Sequence, residues 1–235
     1  MQGNYYAQPR VLSRVQENTL LRSVYNWMVL GLFISGAVAY LTAHSAGMQQ
    51  LIFGNSAVIW ILLLGELGLV FGISGGINRM SASTASWLFL LFSLLNGLTL
   101  SSVFLIYTSA SLATTFFITG LTFGLTSLYG YATKTDLTSI GNYLMMGLIG
   151  IIVASVVNIF MKNSTLDLLI SYIGILIFVG LTAYDTQKIR RMGENMAGVG
   201  HEQFGKIAIL GALALYLDFV NLFLMLLRIF GRSER

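Results

Sequence analysis

The chain has no cysteine, one proline, two histidines and few charges: Asp, Glu, Lys and Arg make up 9% of its 235 residues. The missing cysteines exclude disulfides, thiolate metal sites and a cysteine nucleophile. The one proline, Pro9, lies in a polar N-terminal stretch, so no apolar segment is proline-kinked. The histidines, His44 and His201, fall in polar stretches between apolar runs. That placement argues against a Ser–His dyad deep in a helix bundle. Soluble domains carry ~25% charged residues, so this composition excludes an ordinary soluble domain. The net charge of +4 belongs to the ends and loops. It reads as membrane topology and contact with anionic lipid rather than nucleic-acid binding.

What fills the chain instead is apolar: 56% of residues are hydrophobic. The pattern predicts an all-α integral membrane protein with seven transmembrane helices. Three regions follow: a cytoplasmic N-terminal leader (1–23), a seven-helix transmembrane domain (24–231) and a short basic tail (232–235). The first apolar run is long and follows a polar leader, so it is read as a span rather than a cleaved signal. The spans are placed at 24–41, 52–73, 85–106, 112–131, 142–161, 166–184 and 207–230. Residues 80–133 carry no charge, too long a stretch for one crossing, and Tyr107-Thr108-Ser109-Ala110-Ser111 marks the break. The longest loop is expected at 186–206. Small residues recur at helix-packing spacing: Ser93, Gly97 and Ser101; Gly120 and Gly124; Gly147, Gly150 and Ala154, with Asn158 following. Such stripes let backbones approach closely.

The last run, 207–230, organises the rest. About 24 residues cross a ~30 Å hydrocarbon core at 1.5 Å per residue. Asp218 sits near its middle, where a carboxylate facing lipid costs ~2.5–3.5 kcal/mol even on the lenient insertion scale. Gly211, Ala214, Asp218, Asn221 and Met225 share one helical face. That small, polar face is expected to point at protein or water.

Counting Lys and Arg by loop sets the orientation. In a seven-span chain the N-terminal side holds Arg10, Arg14, Arg22, Arg79, Lys134, Lys188, Arg190, Arg191 and Lys206. The other side holds Lys162, Arg228, Arg232 and Arg235. Nine against four places the N-terminus in the cytoplasm and the C-terminus outside; the basic tail points the other way, to a six-span chain with its C-terminus inside. Three acids lie in or at the edge of apolar spans: Glu66, Asp185 and Asp218. If Asp185 and Asp218 meet in a poorly solvated site, they cannot both ionise cheaply, and they titrate as a unit. Such a pair is also a hard, oxygen-rich place for a divalent cation such as Ca²⁺.

The segments LYLDFVNLFLMLLRIFG (215–231), GLTAYDTQKI (180–189) and GLTLSSVFLIYT (97–108) resemble the Bax inhibitor-1, or TMBIM, family, most of all its gammaproteobacterial members. The likeness covers nearly the whole chain beyond the leader. It implies two triple-helix layers wrapped around the C-terminal helix, and a pH-sensitive calcium leak of the cell inner membrane. The family's paired aspartates fall on Asp185 and Asp218, its span-2 glutamate on Glu66 and its late span-7 arginine on Arg228. Its basic latch at the cytoplasmic end of span 2 falls on Arg79. On this reading Arg79 neutralises the aspartate pair and holds span 2 against spans 6 and 7. Glu66 and Arg228 pair nearer the other face. Glu66, Arg228 and Asn221 are the pore or ion-pair candidates.

Rival readings are an intramembrane aspartyl protease, a non-transporting regulator of membrane proteases or other membrane proteins, and a Ca²⁺/H⁺ exchanger. Tyr184-Asp185 matches the first of these, but Leu215-Tyr216-Leu217 precedes Asp218 where such enzymes carry Gly-x-Gly. Gly72-Ile73-Ser74-Gly75 matches a rhomboid GxSG with no histidine in any span. A channel without catalytic residues or cofactor, carrying Ca²⁺ as its transported ion, is the expectation.

Overall fold

A computed structural model describes residues 8–196 and 198–232, with side chains from residue 17 onward. The chain is all-α. Its helices are α1 (Gln8–Ala43), α2 (Ala46–Phe53), α3 (Ser56–Gly76), α4 (Ala82–Ile106), α5 (Ser109–Ala132), α6 (Thr138–Met161), α7 (Ser164–Glu194) and α8 (His201–Phe230). Among the described residues seven helices, all but α2, are long and apolar enough to cross a membrane. Uninterrupted apolar runs become helices because only a helix satisfies its backbone groups internally where water is absent. Polar residues supply the breaks. Ser45 accepts the Met48 N–H at the start of α2, Asn55 the Ala57 N–H at the start of α3, and Thr108 the Ser111 N–H at the start of α5. Each is a side-chain cap on an otherwise orphaned donor.

The chain forms two compact units. One contains α1 to α4, the last turns of α7 and the first half of α8. Its helices close on small residues. A side chain at Gly97 would lie 2.8 Å from the Ser35 carbonyl oxygen, and one at Gly31 would lie 2.7 Å from the Phe89 ring. Tyr216, fully buried, packs edge-on to Phe89 and Phe92 with ring centroids 5.9 and 5.4 Å away. Glu202 caps α4 by accepting the Ala82 N–H at 2.7 Å.

The second unit contains α5, α6, most of α7 and the second half of α8. Here Gly141 meets the Tyr184 ring, and Phe219 packs on Phe116 and Phe123, both at 5.4 Å. Gln187, 2% exposed, accepts the Leu137 N–H at 2.9 Å and donates to the Thr135 carbonyl at 2.8 Å. This one amide ties α7 to the turn that starts α6. Of the spans α8 buries most of its apolar window, 61%, against 6% in α3 and in α6. The expectation of a buried last helix is met.

Several boundaries differ from the sequence reading. The described part of the expected leader is helix continuous with the first span, and Leu20, Leu21 and Glu17 are buried in it. Span 2 starts at Ser56, because Gly54 and Asn55 detach the short α2. The long loop expected at 186–206 shrinks to residues 195–200. Charge suggested a loop there, but Thr186, Ile189 and Gly193 are buried and continue one face of α7 at helical spacing. Gly120 and Gly124 do not pack; nothing lies within 4 Å of an added side chain at either. The buried face of α5 is Leu112, Thr115, Thr119, Phe123, Ser127 and Gly130 instead.

Candidate functional site

Asp218 lies in the eighteenth position of a 30-residue apolar helix and is 4% exposed. Its Oδ2 has no hydrogen-bond partner among the described residues. Asp185, half-buried on α7, lies within electrostatic reach of it, and Lys188 within electrostatic reach of Asp185. The two aspartates expected as a pair are thus brought together, from two helices of one unit. Lys188 also lies over the Tyr184 ring, 5.8 Å from its centroid.

The backbone geometry explains how carboxyls come to be buried here. Gly130 on α5 abuts the carbonyl of Ala183, two residues before Asp185, and a side chain added at Gly174 on α7 would lie 3.1 Å from that of Met225. Helices this close exclude lipid and leave little room for water. Among the described residues the same unit holds two further buried hydroxyls without a partner, Ser127 Oγ and Thr186 Oγ1. Unpaired buried polar atoms are few in folded proteins, and each calls for an explanation such as an ion, water or a functional role. Among the described residues no three His, Cys, Asp or Glu side chains gather as a metal cluster. The pair offers a cation two carboxyl groups and neighbouring hydroxyls, not a closed cage.

The other candidates are placed as follows. Arg79 is exposed in the short 3₁₀ turn after α3, and among the described residues it makes no ion pair or side-chain hydrogen bond. Glu66 and Arg228, expected as partners, each hold others. Glu66 Oε1 lies 2.8 Å from Thr99 Oγ1, and Oε2 lies 3.0 Å from the side-chain amide of Asn96. Arg228 Nη1 donates to Asp167 Oδ1 at 3.1 Å. Both members of that pair are more than a third exposed, so it contributes on the order of 0–1 kcal/mol. Asn221 donates to the Leu217 carbonyl of its own helix at 2.8 Å.

Sequence reasoning missed the neutral residues around Glu66, since Asn and Thr in a span carry no charge to mark them. It also missed Glu17, buried on α1, whose Oε1 lies 4.0 Å from Arg190 Nε, while Arg190 reaches Glu194 at 3.4 Å. A 36-residue helix, ~54 Å long, carries Glu17 beyond the apolar window on which span-finding relies.

Seven apolar helices with acids buried among them define a polytopic membrane protein. The model of the family described as "Inhibitor of apoptosis-promoting Bax1" matches residues 17–235. The inner membrane protein YbhL of Escherichia coli K12 is 49% identical over 224 residues, covering 95% of this chain and 96% of that protein. An uncharacterized protein of Borreliella burgdorferi is 49% identical over 218 residues, 93% of this chain and 94% of its own. An uncharacterized membrane protein of Streptococcus pyogenes is 33% identical over 224 residues, 94% and 96% of the two chains. The chain belongs to the Bax inhibitor-1 family and is a multi-pass inner membrane protein.

Proposed function

We propose that the protein is a pH-sensitive cation leak channel, with Ca²⁺ as the transported ion, gated at Asp185 and Asp218. The observation that carries this reading is the Oδ2 of Asp218, buried without a partner in a span and within reach of a second carboxyl. Intramembrane acids are costly and mark ion pathways by default. With one proton between them, the pair forms a hydrogen bond tying α7 to α8. Without it, two repelling charges bind a cation or draw in a basic residue. The two states pack differently, so pH shifts the balance of closed and open forms. Two carboxylates supply part of the roughly six to eight oxygens that Ca²⁺ takes, which suits an ion that enters, binds weakly and leaves.

Orientation follows from the basic residues. Nine on the N-terminal side against four on the other favour a cytoplasmic N-terminus and an outside C-terminus. Arg79, at the cytoplasmic end of α3 in that orientation, is the proposed latch. The reading assigns ion passage rather than catalysis to the aspartates. Purified protein in liposomes loaded with a calcium-sensitive dye tests it. A pH-dependent rise in dye signal over empty liposomes supports a leak. Silence at every pH overturns it and leaves a non-transporting partner of other membrane proteins.

A further inference from the structure

Glu66 sits at the midpoint of α3, ~15 Å from either end. It heads a chain of polar side chains through one unit: Glu66 on α3, Asn96 on α4, Tyr216 on α8 and Ser35 on α1. The contacts along it are short enough that each needs a proton between its two atoms, and these protons can be counted.

Ser35 Oγ has three neighbours: the Ser93 carbonyl at 2.7 Å, the Gly31 carbonyl at 3.0 Å and the Tyr216 hydroxyl at 2.6 Å. Carbonyls only accept, and a serine has one proton to give. That proton goes to the carbonyls, so in the contact with Tyr216 the phenol is the donor. Tyr216 also has one proton, now used. Its 2.7 Å contact with the Asn96 amide then needs the NH₂ of Asn96 as donor. The oxygen and nitrogen of an amide take nearly equivalent positions, and the network decides between them. Turned this way, Asn96 presents its C=O to Glu66 Oε2, 3.0 Å away. Two acceptors approach that closely with a proton between them, and Glu66 is the group able to carry it. Thr99 completes the set, giving its proton to Glu66 Oε1 at 2.8 Å or to the main-chain carbonyl of Asn96 at 2.9 Å.

With Glu66 ionised every direction reverses. Asn96 donates to Glu66, Tyr216 to Asn96 and Ser35 to Tyr216. The 2.7 Å contact between Ser35 and the Ser93 carbonyl then has no proton. The heavy-atom geometry fits the first arrangement.

We propose that Glu66 is a proton-binding site whose occupancy sets the direction of the hydrogen-bond chain Glu66–Asn96–Tyr216–Ser35 across four helices. Uptake forms one O–H bond on Glu66 at the expense of a hydronium ion in water, turns the Asn96 amide over and swings two hydroxyl protons. The Tyr216 ring is held by Phe89 and Phe92, so its oxygen stays in place while its proton turns. Among the described residues Tyr216 is the other titratable group facing Glu66; α4 presents neutral Asn96 and Thr99, and α1 neutral Ser35.

Dicyclohexylcarbodiimide modifies protonated carboxyl groups in apolar surroundings, and it tests the proposal on the full chain in lipid vesicles. Mass spectrometry at about neutral pH is expected to find an adduct on the Glu66 peptide of the wild type and none in Glu66→Gln. Ser35→Ala frees Tyr216 to donate to Asn96, removes the demand for a proton on Glu66 and lowers labelling several-fold. Ser35→Thr keeps the hydroxyl and keeps the labelling. Tyr216→Phe cuts the chain at another point and also lowers it. The carboxylic-acid C=O stretch lost in Glu66→Gln, read by infrared spectroscopy, should weaken in step in Ser35→Ala. No adduct on wild-type Glu66 overturns the proposal, as does equal labelling with an unchanged infrared band in Ser35→Ala and Tyr216→Phe.

Discussion

Gly130 on α5 abuts the main-chain carbonyl of Ala183 on α7, with no space for a methyl group between them. Two residues further along α7 is Asp185. The contact fixes how closely a polar helix face can sit against its neighbour, and with it how dry the carboxyls are. In membranes such close approach drives helix association, because apolar burial alone does not separate helix from lipid. Gly130→Ala should force α5 away from α7 at a cost of about 1–3 kcal/mol, the usual penalty of overpacking. The unfolding midpoint in detergent should fall by several degrees. Gly120→Ala on the same helix, with nothing within 4 Å, should leave it in place. Equal midpoints for the two variants would contradict a close α5–α7 contact at Gly130.

The orientation proposed from the basic residues has a direct test. An alkaline phosphatase fused after Arg235 should be active and a green fluorescent protein fused there dark, since an odd number of spans puts the C-terminus outside. A bright fluorescent fusion would reverse the sidedness of Arg79 and Lys188 with it.

Arg79 is exposed and, among the described residues, unpaired, so its proposed role as a latch is read best in flux. Arg79→Ala should raise the resting Ca²⁺ leak, because a latch as proposed is then removed. Arg79→Lys should keep most of the restraint. An unchanged leak in Arg79→Ala would make Arg79 a topology signal alone.

Much of this architecture was legible in the residues. Apolar length located the seven spans, and Tyr107 to Ser111 marked the one break inside a charge-free stretch, because Thr108 is a helix cap. Asp218 stood out since a carboxylate inside an apolar run needs a reason. Four features were not legible. Charge made the end of α7 look like a loop, although Lys, Arg and Glu are good helix formers and Ile189 is buried. Asp167 at the start of α7, rather than Glu66, holds Arg228, and pairing between distant helices cannot be read from one sequence. The network around Glu66 is built from Ser35, Asn96, Thr99 and Tyr216, residue types that polar loops and packed spans share. Gln187, which bonds the turn before α6 at both ends of its amide, was hidden among charged neighbours for the same reason.

The central claim is that Asp185 and Asp218 act as one titrating gate. Ca²⁺ flux into proteoliposomes, measured between about pH 6 and 8, tests it most directly. Wild-type flux should change several-fold across that range, the span over which a coupled pair exchanges one proton. Asp185→Asn and Asp218→Asn should each flatten the curve, and the double variant should add little, because groups that act as a unit are not additive. A full pH response surviving in both single variants would contradict the account.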